Sequence, residues 1–209
     1  MSWERSGALA GLSFIALYVA AFALGIEVGA SDEQILDHYA DAGNRAREFA
    51  AFFLIAATGL SYLVFAVLLR SLIVREETGT GVLAALTLAS GATTTALVLA
   101  GNAVSRATAF AAMDDDFDLE PNTRRLLENA GFLLFVSATL AAIVLVVNVS
   151  LAALRCGILP RWLGWAGFPV ALLLPLAIAF VGFLVLMLWV GAVSMALVRR
   201  PTEERPSPA

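Results

Sequence analysis

"GILPRWLGWAG", residues 157–167, stands at the head of 37 consecutive residues without a charge, 162–198. Whether that run forms one helix or two decides the architecture. A single helix would be about 55 Å long at 1.5 Å per residue, nearly twice the roughly 30 Å of hydrocarbon in a bilayer. Two short crossings fit better, near 162–178 and 181–199, joined by a tight outer turn. Pro175 weakens the helical ladder at that point and Gly182 permits a turn. Trp162 and Trp165 then sit beside Arg161 in the interfacial belt and anchor the start of the fifth crossing. The turn itself, AIAFVG at 177–182, holds no polar residue. The alternative is one tilted helix kinked at Pro175, giving five crossings in all.

The rest of the chain follows the same logic. Apolar residues make up 60% of the 209 and charged residues 14%, with a mean hydropathy of +0.87. A soluble domain carries about 25% charged residues, and a globule this oily would lack polar surface to cover its core. Uncharged runs cover 6–26, 49–69, 78–105, 129–154 and 162–198, and every charge lies between or beyond them. Each run reaches the roughly 20 residues that a helical crossing needs. The expectation is an all-α polytopic transmembrane helical bundle of six helices, one domain over 1–200, with a disordered tail at 201–209. The first run reads as an uncleaved signal-anchor, with removal as a signal peptide the lesser reading. Gly7 and Gly11, and Gly25 and Gly29, are spaced for close helix contacts within the chain or between copies.

Between the first two crossings, SDEQILDHYADAGNRARE at 31–48 opens with Ser31 and Gln34, a capping box, so a short helix begins there. Ile35, Leu36 and Tyr39 are expected on one face, with Asp32, Asp37 and Asp41 facing away, as in a helix that lies on the membrane or lids the bundle. Gly43 and Asn44 are expected to break it before a helix at about 45–72. REETGTG at 75–81 makes the next two helices antiparallel neighbours. Asp118 can cap the following long helix, with Pro121 in its first turn.

Charge placement orients the bundle. The acid-free 155–161 loop carries Arg155 and Arg161, and Arg199 and Arg200 close the last run. Both favour the cytoplasm, which puts both termini on the cytoplasmic side of a bacterial plasma membrane; the basic count as a whole is mixed, with five basic residues on the outer side.

Little of the sequence carries chemistry. Glu27, Glu48, Asn102 and Arg106 form a candidate outer vestibule, because Asn102 and Arg106 share a helix face near the outer boundary. Asn148, inside hydrocarbon, calls for a partner on another helix. Thr93, Thr94 and Thr95 can bond their own backbone. His38, the only histidine, reads as a surface-helix residue. Asp114, Asp116 and Asp118 have the alternating start of a calcium loop. The sixth position is not glycine and the twelfth is Arg125, which leaves a solvated acidic loop as the plainer reading. The single cysteine, Cys156, excludes an internal disulfide. There is no GxSxG, HExxH, phosphate-binding loop or dinucleotide fingerprint. Scarce, scattered basic residues exclude nucleic acid. No cofactor is expected; the lipid bilayer is the expected partner, with a homo-oligomer an option and any small-molecule ligand unidentified.

The segments SDEQILDHYADAGNRA (31–46), DLEPNTRRLLENAG (118–131), LPRWLGWAG (159–167) and LWVGAVSMALVRR (188–200) together resemble a bacterial, mostly actinobacterial, family of integral membrane proteins known as a domain of unknown function. The resemblance spans nearly the whole chain and implies six helices, with a longer connection between the fifth and sixth than is present here. It implies no catalytic or binding residues. The leading expectation is a non-enzymatic multi-pass protein that binds a lipid or a partner or plays a structural part. A small-molecule transporter and a membrane-embedded enzyme are the alternatives.

Overall fold

Lipid offers peptide groups no outside partner, so each long neutral run satisfies its backbone internally as a helix. The computed structural model describes residues 3–24, 31–78, 80–114 and 116–199, with side chains from Ser6 onward. Its helices are α1 (Trp3–Leu24), α2 (Asp32–Ala40), α3 (Ala42–Glu76), α4 (Val82–Ala111), α5 (Pro121–Cys156), α6 (Arg161–Leu173) and α7 (Val181–Val198). A 3-10 segment, Leu174–Ala179, continues α6. Among the described residues six stretches are long and apolar enough to cross a membrane. The protein is an all-α polytopic bundle, as the charge-free runs require.

The last run divides as expected. α6 and its 3-10 extension form one crossing and α7 the other. Pro175 lies in the first turn of the 3-10 segment, where its missing donor costs least. Gly182 is not the residue that reverses the chain. Phe180 takes the left-handed conformation, φ 61°, which is uncommon for a bulky residue. Its ring lies 5.6 Å from that of Phe132 and 6.2 Å from that of Phe183. Gly182 serves close approach instead. A Cβ there would stand 2.5 Å from the Leu174 carbonyl oxygen and 2.8 Å from the Ala177 nitrogen.

The spanning helices close a ring, α1 on α3, then α4, α5, α6, α7 and back to α1. Six crossings put the start of α1 and the end of α7 on one side, together with the 77–81 and 157–160 connections. We call this the terminal side. The lid side carries α2, the 112–120 loop and the Phe180 turn. The glycines at 7 and 11 are spent inside the chain, since a Cβ at Gly7 would stand 2.6 Å from Leu68 Cβ and one at Gly11 2.9 Å from the Phe65 ring. Gly25, Gly29 and the 201–209 tail lie outside the described residues.

Several local expectations need correction. The break before α3 falls at Asp41, whose Oδ1 accepts from the Asn44 amide at 2.7 Å, so Gly43 and Asn44 belong to the first turn of α3. A carboxylate cap outweighed two poor helix formers. α5 is preceded by Glu120, not Asp118, with Pro121 at its start. The Glu120 carboxylate accepts from the Thr123 hydroxyl. On the terminal side Glu77 reaches across to accept from the Leu83 and Ala84 amides, 3.1 and 3.2 Å away, and so caps α4. Asn148 donates to Val144 O on its own helix at 2.8 Å, not to a neighbour. An i−4 carbonyl is always within reach of an asparagine in a helix, and it won. Thr93 bonds Ala89 O, whereas Thr95 bonds Gly59 O on α3.

Candidate functional site

α2 is the short helix that the capping box announces. Ser31 Oγ accepts from the Gln34 amide and Gln34 Oε1 accepts from the Ser31 amide, each at 3.2 Å. Ile35, His38 and Tyr39 are buried, while Leu36 is 44% exposed. Positions i, i+3 and i+4 share a helical face, and i+1 lies about 100° away. His38 therefore takes the place expected of Leu36, and the surface reading of His38 is overturned.

Beneath this lid lie the buried charges of the bundle. Glu48, in the first turns of α3, is 5% exposed and forms an ion pair with Arg106 of α4. His38 Nε2 stands 3.4 Å from Glu48 Oε1, with no hydrogen bond of acceptable geometry. Arg124 of α5 is buried, donates through Nε to the Tyr39 hydroxyl at 3.2 Å, and pairs with Glu128 one turn on. Arg45 bonds the Tyr39 and Ala40 carbonyls and so closes the end of α2. Arg125 Nη2 meets Asp32 Oδ1 at 2.6 Å on the exposed side. One turn deeper, Asn102 is fully buried and donates to Phe52 O of α3 at 2.9 Å.

Of the expected vestibule, Glu48 and Arg106 are brought into contact and Asn102 lies a turn below them. Glu27 lies outside the described residues. Sequence reasoning put Tyr39 on the apolar face of α2 but not in a hydrogen bond with Arg124, and it missed Arg124. Nothing in the sequence separates Arg124, which is buried, from its neighbour Arg125, which lies on the exposed side.

His38 belongs to α2, outside the spanning segments. Burial lowers its pKa below the ordinary 6.5, Arg124 lowers it further, and Arg106 adds to this; Asp41 acts in the opposite sense. The docked histidine is thus neutral near pH 7. Because the docked pKa is the lower one, α2 gains stability above about pH 6.5 and loses it as the pH falls below that value. The protection of the 32–40 amides, with the intrinsic slowing of exchange at lower pH divided out, is expected to fall between pH 7.5 and 5. His38→Gln should abolish that fall. Equal protection of α2 at both pH values would refute the linkage.

Elsewhere the expected residues stand apart. Trp162 and Trp165, at the start of α6, are 62% and 67% exposed beside exposed Arg161. Asp114 Oδ1 accepts from the Asp116 amide at 3.2 Å. Among the described residues no group of three or more His, Cys, Asp or Glu is placed to hold a metal ion. Cys156 is half-buried at the end of α5. The chain matches no family model, no curated protein and no solved structure.

Proposed function

We propose that this chain is a non-enzymatic multi-pass protein of a bacterial plasma membrane, with a structural role or a binding role toward lipid or a partner protein. Membership of the actinobacterial family that its loops resemble is part of the proposal. The observation that carries it is how the lid-side charges are used. Arg106 is matched by Glu48, Arg124 by Glu128 and Arg125 by Asp32; of these the Arg125–Asp32 pair ties α5 to α2, as does the Arg124–Tyr39 hydrogen bond. A catalytic or carrier centre would leave such groups to face substrate.

Both termini are proposed to be cytoplasmic. Arg70, Arg155, Arg161 and Arg199 are all exposed on the terminal side, where the positive-inside rule wants them. In a Cys156→Ser background, single cysteines at Ser31 and Ala112 should react with an impermeant maleimide on intact cells. Those at Thr78 and Gly157 should react only after lysis. The reverse pattern would invert the threading. Extraction into polymer-bounded discs followed by native mass spectrometry should show a stoichiometric lipid or protein mass retained on the chain. Release of the bare chain, or saturable solute flux in proteoliposomes, would overturn the binding role.

A further inference from the structure

At the axis of the helix ring lies a narrow cavity of about 40 Å³, lined by α1, α3, α4, α5 and α7. Its wall residues sort by depth. Tyr18, Ile55, Val98, Phe135 and Phe183 are half-buried, and each is the wall residue nearest the lid side on its own helix. Phe14, Tyr62, Thr94 and Leu186 lie deeper and are buried. The space is therefore a funnel with a less buried rim toward the lid side and a buried floor. Its rim lies just inside the Phe132–Phe180 ring contact that marks the tip of the α6–α7 hairpin.

The walls are apolar although several of their residues are threonines. Thr58 turns its hydroxyl to Leu54 O at 2.8 Å, Thr139 to Val136 O at 2.7 Å, and Thr95 to Gly59 O at 3.2 Å. Methyl groups are left to face the space. The Tyr62 and Thr94 hydroxyl oxygens are buried beside one another without a hydrogen bond of acceptable geometry, and neither is exposed to the space. Water needs two to four polar partners to stay in a cavity, and an apolar one remains dry. No charged residue lines the funnel, so an ionic group would enter it without compensation. At about 10–15 Å³ per water-sized sphere, the volume has room for the end of one hydrocarbon chain.

We propose that the funnel seats the distal end of a single acyl chain, inserted tail-first by a lipid of the lid-side leaflet. The inference deepens the binding reading by naming the ligand and its site. The helices span hydrocarbon at this depth, so acyl chains are the molecules that surround the bundle there. The headgroup stays outside, level with the hairpin tip, where the funnel offers it nothing.

The test uses the full chain in nanodiscs of phosphatidylcholine. One probe lipid carries a diazirine at the end of its sn-2 chain, and a second carries it beside the glycerol. Tyr62, Thr94 and Phe14 are buried from bulk lipid, so label on them reports occupancy of the funnel. The chain-end probe should label these floor residues and the glycerol-side probe should not, while both discs give label on exposed Phe53 or Leu188. Ala138→Phe, which fills the floor, should abolish floor labelling and spare Leu188. Absence of floor label from the chain-end probe in wild type would overturn the proposal, as would equal floor label from both probes. The wild-type pair decides the matter even if the variant does not fold. Retention of another lipid or a partner mass without floor label would leave the broader binding role intact and remove only this site.

Discussion

Glu48→Gln is expected to destabilise the protein by about 3–5 kcal/mol, the usual cost of removing one partner of a buried ion pair. Glutamine keeps the shape of the side chain and removes its charge. Arg106 then stays under α2 without a counter-ion, close to Arg124, whose own acid, Glu128, is half in solvent. The loss should fall on α2 first, since the lid packs directly over the pair. Arg106→Met alone should cost a comparable amount by stranding Glu48 beside His38. The double variant should cost much less than the sum, because it removes both desolvated charges together. Unfolding of the four proteins in one lipid–detergent mixture gives the cycle. Additive losses, or a Glu48→Gln protein within about 0.5 kcal/mol of wild type as for an ordinary surface change, would show that the pair is solvated and that the lid rests on its apolar contacts alone.

The architecture was legible because bilayer thickness is a ruler and a charge in hydrocarbon is expensive. The 162–198 run was too long for one crossing, and the short loops fixed which helices are neighbours. The hairpin tip was harder to read. A turn made of AIAFVG carries no polar signal, and Phe180 holds a conformation that composition would assign to a glycine. The candidate site was half legible. Arg106 and Asn102 were identified from their shared helix face near the outer boundary, and Glu48 was grouped with them. Their joining to His38 and Tyr39 depends on which face α2 turns inward. Three apolar or aromatic residues in Ile35, Leu36 and Tyr39 do not decide that face, because His38 competes with Leu36 for the inner position. Asn148 shows the complementary limit. A buried amide demands a hydrogen bond, and the sequence does not say whether its own helix or a neighbour supplies it. Thr95 and Asn102 made the opposite choice and tie α4 to α3.

Where two helices cross on glycine, substitution should be costly out of proportion to its size, and Gly131→Val is the sharpest case. α4 and α5 approach so closely that a Cβ at Gly131 would stand 2.7 Å from the Gly101 carbonyl oxygen and 2.9 Å from the Ser105 nitrogen. Both are backbone atoms, and neither can rotate away. Gly101 faces the same crossing from the other side, with the Gly131 carbonyl oxygen 2.9 Å from its own built Cβ. Overpacking a core by a few methylenes costs about 1–3 kcal/mol when side chains can shift. Here the helices themselves must separate, which also pulls Asn102 and Arg106 out of register with α3 and threatens the lid above them. A loss of about 3 kcal/mol or more, at or beyond the top of that range, is expected for Gly131→Val, and a smaller but definite loss for Gly131→Ala. Alanine favours a helix over glycine by about 1 kcal/mol, so the propensity gain works against the clash and the sign is informative. Gly59→Ala supplies the contrast: its nearest neighbours are side-chain atoms at 3.4 Å or more, ordinary van der Waals contact. That variant should be neutral or stabilised by up to about 1 kcal/mol. Chemical unfolding of the three variants beside wild type ranks them. If alanine at position 131 were tolerated as well as alanine at position 59, the α4–α5 crossing would be looser than its geometry requires, and the lid would not depend on it.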